Sequence, residues 1–169
     1  MNIRQRHRRP QRWKGVAKKA CVVLIAARFH GAIARSLVQG AIGVLRRGGV
    51  AQANLRLVWV PGAFELPGMA SRVARTVPRP AAIVALGALI QGQTPQYEVI
   101  AHAVAHGLTT VAVQTRIPVT FGVIVATTMA QARARAGRSM NNRGAEAAAA
   151  ALSLLNIEPT QSIVHSPHA

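Results

Sequence analysis

The sequence is poor in acids. Only four carboxylates, Glu65, Glu98, Glu146 and Glu158, stand against 21 lysines and arginines, and there is no aspartate. Chemistry built on clustered carboxylates, such as a two-metal site, is excluded on that count. A single cysteine, Cys21, excludes an intrachain disulfide and a cysteine zinc site, and it fits a reducing cytoplasm. No apolar run reaches the roughly 18 residues of a membrane span, so no membrane partner is expected. What is present is a chain of 169 residues, half of them hydrophobic. That length suits one domain, and that apolar share argues against wholesale disorder despite a net charge of +17.

The charge is unevenly placed. Residues 1–19 hold Arg4, Arg6, Arg8, Arg9, Arg12, Lys14, Lys18 and Lys19 with no acid, and the rest of the chain still carries +9. This arm lacks the apolar stretch of a secretory signal. It has the arginine-rich, acid-free character of an organelle transit peptide, interrupted at Pro10. Trp13 among these cations is suited to stacking on a base of single-stranded nucleic acid. The plainer reading is a solvated terminus. At the other end, residues 158–169 hold two prolines and no periodicity, which predicts a loose tail.

Between these ends, strand and helix patterns alternate. Apolar runs at Ala20–Ala26, Leu55–Val60, Ala81–Leu86 and Val119–Val125 read as buried strands, with a short strand or strand entry at Thr110–Gln114. Helical spacing marks Ile33 to Leu45, stopped by Gly48-Gly49, then Glu65–Ala74 and Gln96–His106. Two more helices follow near Thr128–Ala136 and Asn142–Leu155. The expected class is therefore α/β: a three-layer α/β/α sandwich with a flavodoxin-like parallel sheet of about four strands. The domain spans 20–157.

Ligands in such folds bind beyond the carboxyl ends of the strands. Three segments lie there: Ala27–Gly31, Val60–Glu65 and Gly87–Gln96. The last, GALIQGQT, has the glycine and threonine spacing of a P-loop, but Gln93 stands where the lysine is needed. This disfavours a nucleoside-triphosphatase. The amides of Gly92, Gln93 and Thr94 at a helix start suit a single phosphate, while Thr94 as an ordinary N-cap fits the spacing as well. Phe29 and Phe64 suit a flat ring or a core lid. Glu65 suits helix capping or a ligand hydroxyl, and Arg135 a helix C-terminus or an anion.

Taken together, ARFHGAIARSLVQGAIGVL, VPGAFELPGMASRVA, IVALGALIQGQTPQYEVIAHAVAHGL, IPVTFGVIV, QARARAG and NNRGAEAAAAALSLLNI resemble, in order, the lumazine synthases of riboflavin synthesis. The resemblance covers residues 20–157. It implies joining 5-amino-6-(ribitylamino)uracil to 3,4-dihydroxy-2-butanone 4-phosphate, with loss of phosphate and water, to give 6,7-dimethyl-8-ribityllumazine. It also implies no metal or redox cofactor, sites shared by neighbouring subunits of a homo-pentamer, and in many members an icosahedral shell of twelve pentamers.

By position, Phe29 is expected to stack on the pyrimidine. Ala63, Phe64 and Glu65 would line the ribityl chain, and Leu89 and Ile90 would meet the uracil edge through their backbone. Gly92, Gln93 and Thr94 would hold the phosphate with Arg135 as its cation. Phe121 and Arg143 are expected from the neighbouring subunit.

The departures are equally specific. Gln96 stands where the family has a histidine proposed to move protons, and an amide cannot titrate. His30 replaces the usual asparagine and is the nearest substitute base. His102 points elsewhere, about 240° around the helix, and His106 lies about 15 Å along its axis. Glu98 replaces an aspartate, Ala134 a glutamate and Arg143 a lysine, and the usual acid near Thr127 is missing. Gln93 replaces a small residue. These changes predict a slowed synthase. The alternative is a catalytically decayed member acting as a basic, nucleic-acid-binding ring or shell, since a pentamer would carry +85.

Overall fold

The computed structural model describes residues 19–137 and 141–157. Apart from Lys19, the basic arm and the tail lie outside them.

Four strands, β1 (Val22–Ala27), β2 (Leu55–Val60), β3 (Ala82–Ile90) and β4 (Val119–Ala126), pair in parallel in the order β2-β1-β3-β4. The inner strands β1 and β3 are continuously apolar because both sheet faces are covered there, while the edge strand β2 carries Arg56 and is partly exposed. Alternate residues of β1 serve opposite faces. Val22, Leu24 and Ala26 pack with Ile33, Leu37 and Leu45 of α1 (Gly31–Arg47) and with Ala148 and Leu152 of α5 (Arg143–Leu155). Val23, Ile25 and Ala27 pack with Leu66 and Ala70 of α2 (Leu66–Val73) and with Val104 and Leu108 of α3 (Gln96–Thr115). The short α4 (Met129–Ala136) adds Ala132 and Ala136 to the first face. The layers are α/β/α, as the alternating pattern predicts.

Helix ends follow their chemistry. Thr128 and Asn142 cap α4 and α5 through side-chain oxygens that accept from Gln131 and Ala145 N–H. After α1, Gly49 takes φ 97°, a conformation most side chains resist.

Three expectations are corrected. Thr110–Gln114 is no strand but the last turns of α3. Its β-branched residues favour a strand only weakly, and burial of Leu108 and Val111 against the sheet decides for the helix. The hydroxyls of Thr109, Thr110 and Thr115 donate to the carbonyls four residues back, at 2.7–2.9 Å. Gly87–Ile90 belongs to β3 and pairs with Val123–Ala126, so GALIQGQT is half strand and cannot form a P-loop. The N-cap of α3 is Pro95, with no side-chain cap, so Thr94 does not cap it.

Candidate active site

The ends of β1 and β3 open into a hollow of about 400 Å³. Its walls come from four places in the chain. After β1, Phe29 and His30 turn outward, and the amides of Arg28 and Phe29 donate to the carbonyls of Val60 and Pro61 at 2.8 and 3.1 Å. These bonds tie the first loop to the turn after β2, which continues into a 3-10 turn at Ala63–Glu65. Ala88, Leu89 and Ile90 at the end of β3 line it too, as do Gly92, Thr94, Gln96, Tyr97 and Ile100 from the segment that follows.

His30 holds a left-handed backbone, φ 56° and ψ 51°, at the start of α1. Asparagine and histidine are among the few side chains enriched there, which accounts for one standing in for the other. Its ring meets Phe29 edge-on at 4.8 Å between centroids. The phenyl groups of Phe29 and Phe64 are 66% and 63% exposed on the rim. Such exposed rings beside a concave site suit a flat ligand or a second protein surface.

Glu65 uses one oxygen locally. Its Oε2 accepts the Gly62 N–H at 2.7 Å, and its other oxygen has no partner among the described residues. Capping and ligand binding are thus compatible in one carboxylate. Gln93 is exposed and does not line the hollow. Among the described residues, no arginine or lysine lines the hollow either. His102 and His106 are exposed on α3 and lie outside the lining.

The cations gather elsewhere. A second hollow of about 290 Å³ runs along the edge strand β4, lined by Phe121, Val123, Ile124, Val125, Arg135 and Arg143. Glu146 lies between the two arginines. Arg135 Nη2 donates to both its oxygens, at 3.0 and 2.8 Å, and Arg143 Nη1 donates to Oε2 at 3.1 Å. Burial works to raise the Glu146 pKa, but the hydrogen bonds and charges of the two arginines outweigh it and hold the carboxyl below its usual range.

The frame behind this group is the buried Asn142. Its Nδ2 donates to the carbonyls of Ser36, Ala136 and Gly137, at 3.3, 2.8 and 2.9 Å, while its Oδ1 accepts from Ala145 N–H. One amide thus fixes the end of α4, the start of α5 and α1 together, and with them the spacing of Arg135 and Arg143.

Ten of the expected residues therefore share the first hollow: Phe29, His30, Ala63, Phe64, Glu65, Leu89, Ile90, Gly92, Thr94 and Gln96. Phe121, Arg135 and Arg143 share the second, and the two have no lining residue in common. Sequence reasoning missed Tyr97 in the first, and Glu146 and Asn142 behind the second. Tyr97 carried a signal, being the sole tyrosine and adjacent to Gln96. In an acid-poor chain, Glu146 three residues after Arg143 was a weaker one. Among the described residues no three of His, Cys, Asp and Glu gather as metal ligands, and no helix is long and apolar enough to cross a membrane.

The profile of the 6,7-dimethyl-8-ribityllumazine synthase family matches residues 19–158. Among proteins carrying that name, one from Leuconostoc mesenteroides subsp. mesenteroides is 38% identical over 136 residues, 80% of this chain and 86% of that protein. Those of Yersinia pestis (strain Pestoides F) and Yersinia pseudotuberculosis serotype O:1b are each 45% identical over 139 residues, 82% of this chain and 88% of theirs.

Proposed function

The chain belongs to the 6,7-dimethyl-8-ribityllumazine synthase family, and from that premise we propose that it is a working transferase of riboflavin biosynthesis. It condenses 5-amino-6-(ribitylamino)uracil with 3,4-dihydroxy-2-butanone 4-phosphate and releases phosphate and water. Residues 20–157 form the catalytic unit, with the arm 1–19 and the tail 158–169 as appendages, and the protein works in the cytoplasm.

The observation that carries this reading is the division of the expected residues between two hollows. The first offers aromatic rings, backbone groups and one carboxylate oxygen but no arginine or lysine, while the second offers paired arginines beside Phe121. A phosphorylated substrate needs both sets. We therefore take them as halves of one site, brought together by a neighbouring copy in a pentamer or a multiple of pentamers.

In that site Phe29 stacks on the pyrimidine, and Phe64 and Ala63 flank the ribityl chain. The free oxygen of Glu65 accepts from ribityl hydroxyls. Leu89 and Ile90 present backbone groups to the uracil edge. The exposed amides around Gly92, Gln93 and Thr94 receive the phosphate, with Arg135 as its cation and Arg143 and Phe121 closing the site. Gln96 orients the butanone by hydrogen bonding. His30, in the same hollow, delivers a proton to the departing oxygen, which an amide cannot do. Positioning two reactive partners supplies much of the acceleration without Gln96 titrating.

Mixing the protein with both substrates and following lumazine fluorescence tests the reading. Turnover above the uncatalysed rate supports it, and none would sink it. A tenfold or greater rise on Gln96→His shows that proton transfer limits the rate, within the usual range of general acid–base catalysis, about 10²–10⁴-fold. Inactive Phe29→Ala and inactive Arg135→Ala chains, co-assembled, should regain activity only if the halves come from different copies.

A second reading, nucleic-acid binding by a basic ring or shell, is favoured by the charge and by one further hollow. Arg28, Gly31, Arg35 and Trp59 line a space of about 250 Å³, an indole with two guanidinium groups. Material absorbing at 260 nm, co-purified at low salt and shed at high salt, supports this reading, and clean protein at low salt counts against it.

A further inference from the structure

Forming an imine from a primary amine takes two protons off nitrogen and puts two on the oxygen that leaves as water. The proposed reaction has named a donor to that oxygen and no acceptor for the nitrogen protons. Three titratable side chains line the first hollow, namely His30, Glu65 and Tyr97. Glu65 has one oxygen committed to the Gly62 N–H, and His30 stands on the loop after β1 with its ring edge-on to Phe29. Tyr97 sits in the first turn of α3 beside Gln96, and its hydroxyl donates to Glu98 Oε1 at 2.8 Å. That bond joins a residue of the hollow to an exposed carboxylate just outside its lining.

We propose that Tyr97 is a further catalytic residue, passing the amine's proton to Glu98, and thereby doing what Gln96 cannot. The inference rests on the synthase reading above. As the amine nitrogen bonds to the butanone carbonyl carbon, the carbonyl electron pair moves onto oxygen. The N–H proton goes to the Tyr97 oxygen while the Tyr97 proton goes to Glu98 Oε1. The tyrosine ends neutral, Glu98 ends protonated, and the alkoxide takes a proton from protonated His30, which leaves a carbinolamine and neutral His30. Glu98 then gives its proton to solvent and His30 takes one from it. In the second half His30 protonates the hydroxyl as the C–O bond breaks, and the nitrogen lone pair closes the C=N bond. The second N–H proton leaves through Tyr97 to Glu98, water departs, and the same exchange with solvent resets both groups. The hydrogen bond to Glu98, then desolvation and the carboxylate charge, hold the Tyr97 hydroxyl above the usual phenol range. Tyrosine therefore stays protonated at neutral pH, which a relay requires and a lone phenolate base would not. The ionisable groups around it are Glu98 on its own helix, bonded to its hydroxyl, and Glu65 and His30, which line the same hollow.

Fluorimetric turnover of both substrates by the wild-type assembly and by Tyr97→Phe and Glu98→Gln tests the relay. Expected is a fall in kcat of about a hundredfold for each, the low end of ordinary acid–base contributions, with KM nearly unchanged. The acid limb of the wild-type pH–rate profile should disappear in Glu98→Gln, and Glu98→Asp should recover part of the rate. Because Tyr97 is the sole tyrosine, the absorbance of tyrosinate reads it alone, and Glu98→Gln should lower its midpoint. An active wild type with Tyr97→Phe within twofold in kcat, or changed only in KM, overturns the relay and leaves the synthase reading standing. A wild type without turnover overturns both. Should Tyr97→Phe fail to fold, Glu98→Gln keeps the ring, and its kcat and pH profile then uphold or overturn the relay.

Discussion

The two hollows are built by opposite means. The first is assembled from loops and strand ends, with its rings exposed and its carboxylate held by one backbone amide. The second rests on buried frame: Asn142 ties three helices, and Glu146 links both arginines. Loops can accommodate a flat, neutral substrate part as it arrives. A pair of guanidinium groups repel each other, so holding them side by side needs a carboxylate between them and a rigid base beneath. The scarcity of acids sharpens this point. Of three described carboxylates, one spans Arg135 and Arg143, forming the only ion pairs among the described residues.

The largest effect that would break the contrast is Gly144→Ala. A Cβ there would overlap the Leu37 carbonyl, which is backbone and cannot yield. The start of α5 should shift at a cost of about 3 kcal/mol, visible in urea unfolding, while a stability within about 0.5 kcal/mol of wild type would refute the rigid frame. Arg135→Ala removes the proposed cation for the phosphate. The kcat/KM for the butanone phosphate should drop about a hundredfold, or about 2.7 kcal/mol of transition-state binding, with fold and stability little changed. An unchanged kcat/KM would leave the second hollow outside the site.

Asn142→Ala removes the α5 cap and leaves buried carbonyls without donors. A loss of about 2 kcal/mol is expected in the same unfolding assay. Smallest is Glu146→Gln, about 0.5 kcal/mol at pH 7, because the pair is partly exposed and screened. The folded carboxyl titrates below its usual range. Its stabilisation is therefore complete above that range and lost as pH falls through the folded value. The difference between the two proteins should close on acidification; a gap that widens would show that the pair does not stabilise the fold.

Much of this architecture is legible in the amino-acid order. Period and composition placed four strands and five helices, and the segments at the strand ends carried ten residues that meet in one hollow. The failures have physical causes. At Thr110–Gln114 β-branched residues suggested a strand, but hydroxyl back-bonding and burial of Leu108 and Val111 kept the helix. At Gly87–Ile90 glycine suggested a loop, but pairing with β4 extended the strand and removed the apparent P-loop. Glu146 showed no role because its partnership with Arg135 spans 11 residues and two helices. Asn142 reaches Ser36 across 106 residues, which no local pattern reports.

The sequence by itself determined the family, the alternating α/β order and the chemical character of each loop, because these rest on local periodicity and residue type. Only the tertiary structure decided that the expected site residues fall into two separate groups, and which carboxylate serves which cation. Those are distances between segments far apart in the chain, set by how helices pack on the sheet, and no residue carries them alone.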